Sequence, residues 1–307
     1  MQPTVLVTGG AGFIGSHLVA ALVEAGEQVR ILDDFSTGQR ENLAQLVGQI
    51  EVLEGSVTEP CVVAEAVHGT RTVYHLAALA SVQQSVDAPR KSHEVCATGT
   101  LTVLDEARRV DVKRVVYAAS SSAYGNGSDG ALTEDEPLDP LSPYAAAKLA
   151  GEHYCRSFTA TFGLETVRLR FFNIFGPRQR SDSPYSGVIA LFAAALTANR
   201  RPTLFGDGLQ SRDFTEVGNA VQALRLAAAA PAAVGQVYNV GTGQAVTLLE
   251  LLGELNTLLG TSVEPILGPP RAGDVRHSRA DISRARRDLG YAPSVSFAAG
   301  LRRLLGK

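Results

Sequence analysis

Over the first 170 residues, short runs of β-branched and apolar residues alternate with longer helical patterns, and this rhythm limits the folds open to the chain. Thr4–Thr8, Gln28–Asp33, Glu51–Leu53, Thr72–Leu76, Arg114–Ala119 and Glu165–Arg170 read as strands. Runs such as Val115-Val116-Tyr117-Ala118 are apolar on both faces, so each strand needs cover on both sides. A doubly wound parallel α/β sheet meets that demand. After Asn173 the pattern loosens: Gly176, Pro177, Pro184, Gly187, Pro202, Gly206 and Gly208 mark loops around one apolar helix, Val188–Ala198. Gln236–Val240 reads as a last strand returning to the sheet. A smaller, loop-rich lobe built from discontinuous segments is expected there, which the length of 307 residues accommodates.

Composition narrows the function classes. With 45% hydrophobic and 19% charged residues the chain is not intrinsically disordered. A formal net charge of -3 lacks the basic footprint needed to hold nucleic acid. The loose basic stretch Arg276, Arg279, Arg284, Arg286, Arg287, Arg302 and Arg303 reads as a solvated face, with local ligand charge the alternative. Cys61, Cys96 and Cys155 stand alone, so neither a disulfide framework nor a metal site is expected. No apolar run approaches the roughly 18 residues of a membrane span, and Met1 to Val7 has no basic leader pattern, so no membrane association and a cytoplasmic location are expected.

Thr4–Thr8 leads into Gly9-Gly10-Ala11-Gly12-Phe13-Ile14-Gly15 and then a helical pattern from Ser16 to Ala25. Strand, glycine turn and helix in that order suit a dinucleotide: Gly9, Gly12 and Gly15 allow unusual backbone angles, pyrophosphate approach and close helix packing. Asp33, eighteen positions after Gly15, ends the second strand where a carboxylate would bind ribose hydroxyls; its charge disfavours a 2′-phosphate. NAD is therefore expected over NADP. The bland alternative is that Asp33 or Asp34 merely begins a turn.

Ser120-Ser121-Ser122 follows the strand Arg114–Ala119, and Tyr144 and Lys148 lie four apart, on one helix face, after Pro143. An ammonium and a cationic nicotinamide both favour phenolate, so this spacing suits a tyrosine general base. The bland reading is a surface tyrosine beside a lysine. The chain has 8 tyrosines and only four lysines (Lys91, Lys113, Lys148 and Lys307), so the chance expectation for the pair is roughly 0.1.

Together, Thr8 to Gly15, the serine run before Tyr124-Gly125, and Tyr144 with Lys148 resemble the extended short-chain dehydrogenase/reductase superfamily, specifically its nucleotide-sugar epimerases. Arg170-Phe171-Phe172-Asn173, Ser183 to Ile189, Gly206-Asp207-Gly208 with Arg212-Asp213-Phe214, and Arg271-Ala272-Gly273-Asp274 resemble segments of bacterial UDP-hexose 4-epimerases, so the likeness runs from residue 8 to about 281. It implies a Rossmann-type NAD-binding domain from residues 1–171 and 214–243, interleaved with a UDP-sugar lobe from 172–213 and 244–307. It implies that Tyr144 is the base, that Lys148 holds the nicotinamide ribose, and that Ser120 bonds the reacting oxygen, with Ser121 and Ser122 as competitors. Cofactor contacts are implied for Phe13, Ile14, Asp34, Ser56, Val57, Leu76, Ala77, Ala78 and Phe172. Substrate contacts are implied for Ser121, Asn173, Val188, Phe205, Arg212, Arg271, Asp274 and Ser278; Arg212 and Arg271 would face the pyrophosphate. The segments around Val95–Val110 and Tyr144–Thr161 are those through which this family dimerises, which implies a homodimer. One departure stands out: the family's usual asparagine in Asn-Val-x-Gly-Thr is Cys96 here, a poorer hydrogen-bonding group.

Related dehydratases and decarboxylases carry acids in the loop after the strand, where this chain has Ser120-Ser121-Ser122-Ala123-Tyr124. Reversible oxidation at sugar C4 therefore remains as the expected reaction. In the family the position of Ser278 gates the sugar 2-substituent, and a small residue leaves room for an acetamido group, so UDP-GlcNAc/UDP-GalNAc are expected beside UDP-Glc/UDP-Gal. A uronic acid substrate served by Arg178 and Arg180 is the alternative within the class. An NAD-dependent nucleotide-sugar oxidoreductase that releases its cofactor, and a catalytically silent sensor, are the alternatives outside it.

Overall fold

The computed structural model describes residues 5–127, 130–182, 186–269 and 275–307. Seven parallel strands form its central sheet: β1 (Val5–Thr8), β2 (Val29–Asp33), β3 (Ile50–Glu54), β4 (Thr72–His75), β5 (Arg114–Ser120), β6 (Glu165–Phe171) and β7 (Val237–Val240). Their spatial order is β7-β6-β5-β4-β1-β2-β3. All seven runs read as strands in the sequence form one sheet, with ends shifted by a residue or so; Thr4 lies outside the described residues. One shift has consequences: β5 continues through Ser120, which sets that hydroxyl at the carboxyl edge of the sheet.

The double-sided apolar pattern has its cause in the cover. Val5, Val7, Val116 and Ala118 pack toward α1 (Phe13–Glu24), while Leu6, Val115, Tyr117 and Ala119 pack toward α2 (Pro60–Val67) and α3 (Gly99–Arg109). Alternate residues of a strand face opposite layers, so both must be apolar. The helix α4 (Pro143–Phe162) starts with Ser142 accepting from the Ala145 N–H at 3.1 Å and proline at its first position, and stops at Gly163 in the left-handed region. Such caps are each worth about 1 kcal/mol and fix where the helix begins and ends.

A second core fills the smaller lobe, where Ile189, Phe192 and Leu196 of α5 (Val188–Thr197) meet Leu251, Leu252 and Leu255 of α7 (Leu248–Leu259). Between these helices, α6 (Val217–Ala229) returns to the sheet beside α1. Residues 280–291, which include α8 (Ser283–Leu289), pack Ala280, Ile282, Ala285, Leu289 and Tyr291 into the main core, whereas Leu301 of α9 (Phe297–Leu304) packs into the lobe. No described helix is long and apolar enough to cross a membrane, and the described residues hold no group of metal-ligating side chains.

At the sheet centre a directed hydrogen-bond chain joins three elements. The Ala77 N–H donates to Thr8 Oγ1 (3.3 Å), whose hydroxyl bonds His75 Nδ1 (2.7 Å); His75 Nε2 bonds Thr100 Oγ1 (3.0 Å), which donates to the Cys96 carbonyl (2.7 Å). Because the Thr100 proton is committed to that carbonyl, His75 Nε2 must be the donor and Nδ1 the acceptor, so the ring is neutral. Burial first, and the Lys148 charge second, depress its pKa to about 3.

A folded-state pKa below the unfolded value makes stability complete above about pH 6.5 and drains it as the pH falls toward 3. At about 1.4 kcal/mol per pH unit, His75 should remove about 2 kcal/mol between pH 6.5 and pH 5. Urea unfolding of wild type and His75→Gln over that range should show a steeper fall for wild type; parallel curves would refute the assignment.

Candidate active site

The strand order reverses between β1 and β4, so the loops that follow them diverge and open a crevice at the carboxyl edge. Gly9 leaves β1 at φ +71°, and its carbonyl accepts from the Gly12 N–H at 3.1 Å. A Cβ on Gly15 would lie 2.0 Å from the Gly9 oxygen, and one on Gly9 would lie 2.8 Å from the Ala77 nitrogen. Gly12 caps α1 without any side-chain bond, so the first N–H groups of that helix, at Phe13 and Ile14, are left for an anion. This cradle fits the pyrophosphate of a dinucleotide.

Asp33 closes the far end of the crevice. Its carboxylate accepts from the Ala11 N–H (2.8 Å) and the Phe35 N–H (2.9 Å), which orient it and leave lone pairs for ribose hydroxyls. Burial pushes its pKa up, and these two bonds oppose the rise. Asp34 has the role of a turn residue, accepting from the Ser36 N–H and Oγ (2.9 and 2.6 Å). Leu76 and Ala77 are tied to Thr8, while Ala78 packs with Cys96 and Tyr144. Ser56 bonds Glu59 and Thr58 ahead of α2, and Val57 is buried against Gly99. The ring of Phe172 is wholly buried beside Tyr124, so its side chain belongs to the core.

Tyr144 and Lys148 project from the first turns of α4. Lys148 is buried, with Nζ 4.4 Å from the centre of the Tyr117 ring. Ser120 lies close enough to the Tyr144 phenol to draw its pKa down, and its own hydroxyl lies 2.8 Å from that of Ser122 and accepts from the Ser122 N–H at 3.2 Å. Of the three serines, Ser120 is therefore the one beside the phenol; Ser122 orients it. Burial, with a smaller contribution from Cys96, pushes the Tyr144 pKa well up, and Ser120 pulls against this. Burial likewise lowers the Lys148 pKa, with Cys96, Cys155 and Glu152 opposing.

On the lobe side, Asn173 leaves β6 at φ +32°, Val188 opens α5, and Phe205 ends the strand Thr203–Phe205. Arg212 and Ser278 are register partners in adjacent short strands, and Ser278 is buried. The Arg212 guanidinium donates to the carbonyls of Ser211 (2.9 Å) and Arg276 (3.3 Å). Arg271 and Asp274 lie outside the described residues.

Sequence reasoning missed what holds these groups. Asp213, fully buried, accepts from Thr242 Oγ1 (2.7 Å) and from the backbone N–H groups of Thr242 (2.8 Å), Gly243 (2.9 Å) and Ala280 (3.2 Å), pinning the loops beneath Arg212. Arg276 forms a two-pronged pair with Asp207 (2.8 and 2.7 Å), so the glycine-flanked Asp207 clasps the segment that returns toward Ser278. Arg284, Arg287 and Arg303 of the basic stretch also have acidic partners, in Asp135, Asp288 and Glu216. The spacing of these pairs in sequence carries no local signal.

The description of the NAD dependent epimerase/dehydratase family matches residues 5–241. The chain belongs to that family. It is an enzyme of the extended short-chain dehydrogenase/reductase type with NAD as its cofactor, and within the family its similarity is to UDP-hexose 4-epimerases. It is 39% identical over 300 residues to a UDP-glucose 4-epimerase of Mycolicibacterium smegmatis, covering 96% of this chain and 95% of the relative. The crystal structure of a Thermotoga maritima UDP-glucose 4-epimerase with UDP-glucose superposes with a TM-score of 0.94 at 36% identity, covering 99% of this chain and 97% of that one. A UDP-N-acetylglucosamine 4-epimerase from Methanobrevibacter ruminantium, in complex with UDP-N-acetylmuramic acid, gives 0.94 at 35% identity with the same coverage.

For the epimerase fold described here, Gly15→Ala should abolish cofactor retention, because the added methyl meets the Gly9 carbonyl where the turn must close. NAD released on denaturing the purified variant should fall at least about tenfold relative to wild type, as expected where a backbone anion cradle is lost. Full retention would refute the cradle.

Proposed function

We propose that this enzyme interconverts the C4 epimers of UDP-hexoses, and that it accepts UDP-GlcNAc and UDP-GalNAc beside UDP-Glc and UDP-Gal. The observation that carries this reading is the Tyr144 phenol, one turn from the buried Lys148 on α4 and under the influence of Ser120 from a serine loop without an acid. NAD, when bound, supplies the two-electron acceptor and donor at sugar C4. Tyr144 takes the 4-hydroxyl proton and returns it after the 4-keto sugar has turned, while Ser120 donates to the same oxygen. Half-buried and with its pKa pushed up, Tyr144 holds its proton until positive charge is near; Lys148 supplies that charge from the same helix face.

Dehydration or decarboxylation would need an acid where Ser121 and Ser122 stand. The buried carboxylates grouped around Arg170 and Tyr124 are committed: Glu152 to Arg170 at 2.8 Å, and Glu134 to the Asn239 N–H at 2.8 Å. Room for an acetamido group is supported by the small, buried Ser278 beside Arg212. A uronic acid substrate is less well supported, since Arg180 already pairs with Asp182 at 2.9 Å. In this reading residues 1–171 and 214–243 bind NAD, residues 172–213 and 244–307 bind the UDP-sugar, and the 280–291 segment packs on the first of these. The exposed Val110, Tyr154 and Phe162 at α3 and α4 support a homodimer through those helices.

Incubated with UDP-glucose or UDP-GlcNAc without added NAD, the purified protein should yield both C4 epimers. No epimer from either would overturn the reading in favour of a sensor, and turnover only with added NAD in favour of an oxidoreductase that releases its cofactor. Ser278→Tyr should lower kcat/KM for the acetylated pair by at least about tenfold more than for the hexose pair; equal losses would remove Ser278 as the gate. Arg212→Ala should raise KM strongly with kcat little changed.

A further inference from the structure

Tyr144, Lys148 and Glu152 stand at successive four-residue steps, on one face of α4. A lysine and a glutamate so placed ordinarily form an ion pair, and both of these side chains are buried, where such a pair would be strong. They form none here. Both Glu152 oxygens are taken instead by Arg170 of β6, whose Nε lies 3.0 Å from Oε1 and whose Nη2 lies 2.8 Å from Oε2. Arg170 Nη1 is fixed in turn by the Tyr124 hydroxyl at 2.8 Å.

We propose that Arg170 is a positioning residue for catalysis: by occupying the Glu152 carboxylate it prevents that group from capturing the Lys148 ammonium, which stays on the Tyr117 ring and available to Tyr144. The inference rests on the base role of Tyr144 proposed above. Several elements face Lys148: Tyr117 on β5, His75 on β4, Cys96 in the turn before α3, and Glu152 and Cys155 on its own helix. His75 is neutral, and burial holds Tyr117 and Cys155 protonated, so Glu152 is the carboxylate of the set. Arg168 also faces Glu152 from β6, but its guanidinium is bound to the carbonyls of Gly235 and Gln236 and is not free to replace Arg170.

The test uses the NAD-loaded enzyme. The ionisation of Tyr144 is read from ultraviolet phenolate absorbance, each background being blanked with its own Tyr144→Phe variant, and the pH profile of kcat is measured in parallel. In Arg170→Met, Glu152 should capture Lys148: the Tyr144 titration and the acid limb of kcat should both move up by about one pH unit or more, and kcat near neutrality should fall about tenfold, with KM changed by less than about twofold. Adding Glu152→Gln to that variant should return both curves to the wild-type position. A double variant that keeps the displaced titration, or an Arg170→Met that loses kcat with no displacement, would overturn the proposal and leave Arg170 a structural role. Glu152→Gln alone supplies a second check should Arg170→Met not fold: it must not raise the Tyr144 titration, and a rise would refute the proposal. The phenolate titration needs no substrate, so failure to epimerise any UDP-hexose would overturn the reaction proposed above without being mistaken for failure of this role.

Discussion

The constraint on which the rest depends is the close approach of two backbones at the middle of the sheet. Where β1 ends, Gly9 passes so near Ala77 that no side chain fits between them, and the Gly9 carbonyl blocks a side chain at Gly15. The approach allows Thr8 to bond both the Ala77 N–H and His75, which locks β1 to β4 at the point where the strand order reverses. The uncapped start of α1 is then held over the crevice, and the dinucleotide cradle is a by-product of how the sheet closes. Relaxing any one of these contacts would widen the crevice and cost both sheet register and cofactor alignment.

The helix α4, which carries Tyr144 and Lys148, is placed by a different kind of interaction. Arg170 carries a full charge into the interior, where burial works against it, yet Glu152 and the Tyr124 hydroxyl together hold its pKa above the ordinary guanidinium range. The group is larger than one ion pair: Tyr124 also donates to Asn239 Oδ1 at 2.6 Å, and Asn239 donates to the Leu132 carbonyl at 2.8 Å and bonds Glu134 through its backbone N–H. Strands β6 and β7, the serine loop and α4 thus meet in one polar knot. Removing one member of such a buried pair typically costs about 3–5 kcal/mol, whereas a matched apolar replacement of both can be neutral. Stability alone therefore does not require charges here. Their value is directional: a guanidinium fixes the angle of three elements at once, which apolar packing does less sharply.

What was legible in the sequence follows from range. The strands, the glycine turn, Asp33 and the Tyr144/Lys148 pair are each encoded within a few positions, by periodicity or by backbone chemistry, and the strands, turn and helix that carry them form as that reading expects. The choice of Ser120 over Ser121 needed the end of β5 and the hydroxyl-to-hydroxyl contact with Ser122, which three identical letters do not distinguish. Arg170 with Glu152, Asp213 with Thr242, and Arg276 with Asp207 are separated by 18, 29 and 69 positions. No local pattern marks such partners, because the fold brings them together only after the sheet has formed. Arg168 and Arg170 show the limit well: two arginines on one strand, of which one binds carbonyls and the other a carboxylate.

Cys96 shows why one substitution in an otherwise familiar segment need not disable it. Its chain lies in a π-helical turn, Glu94–Thr98, and its carbonyl accepts from the Thr100 hydroxyl four residues on, which ends the chain that begins at Thr8. That contact is made by the backbone, so it does not depend on an amide side chain at this position. The side chain itself is buried with Ala97 and Ala147 and packs against Ala78, Ala150 and Tyr144, an apolar setting that suits a thiol better than an unpaired amide. An amide placed there would need partners for its two donors and its acceptor, where a thiol needs none. Beside Tyr144 the thiol adds to the burial that pushes the phenol's pKa up, against the pull of Ser120.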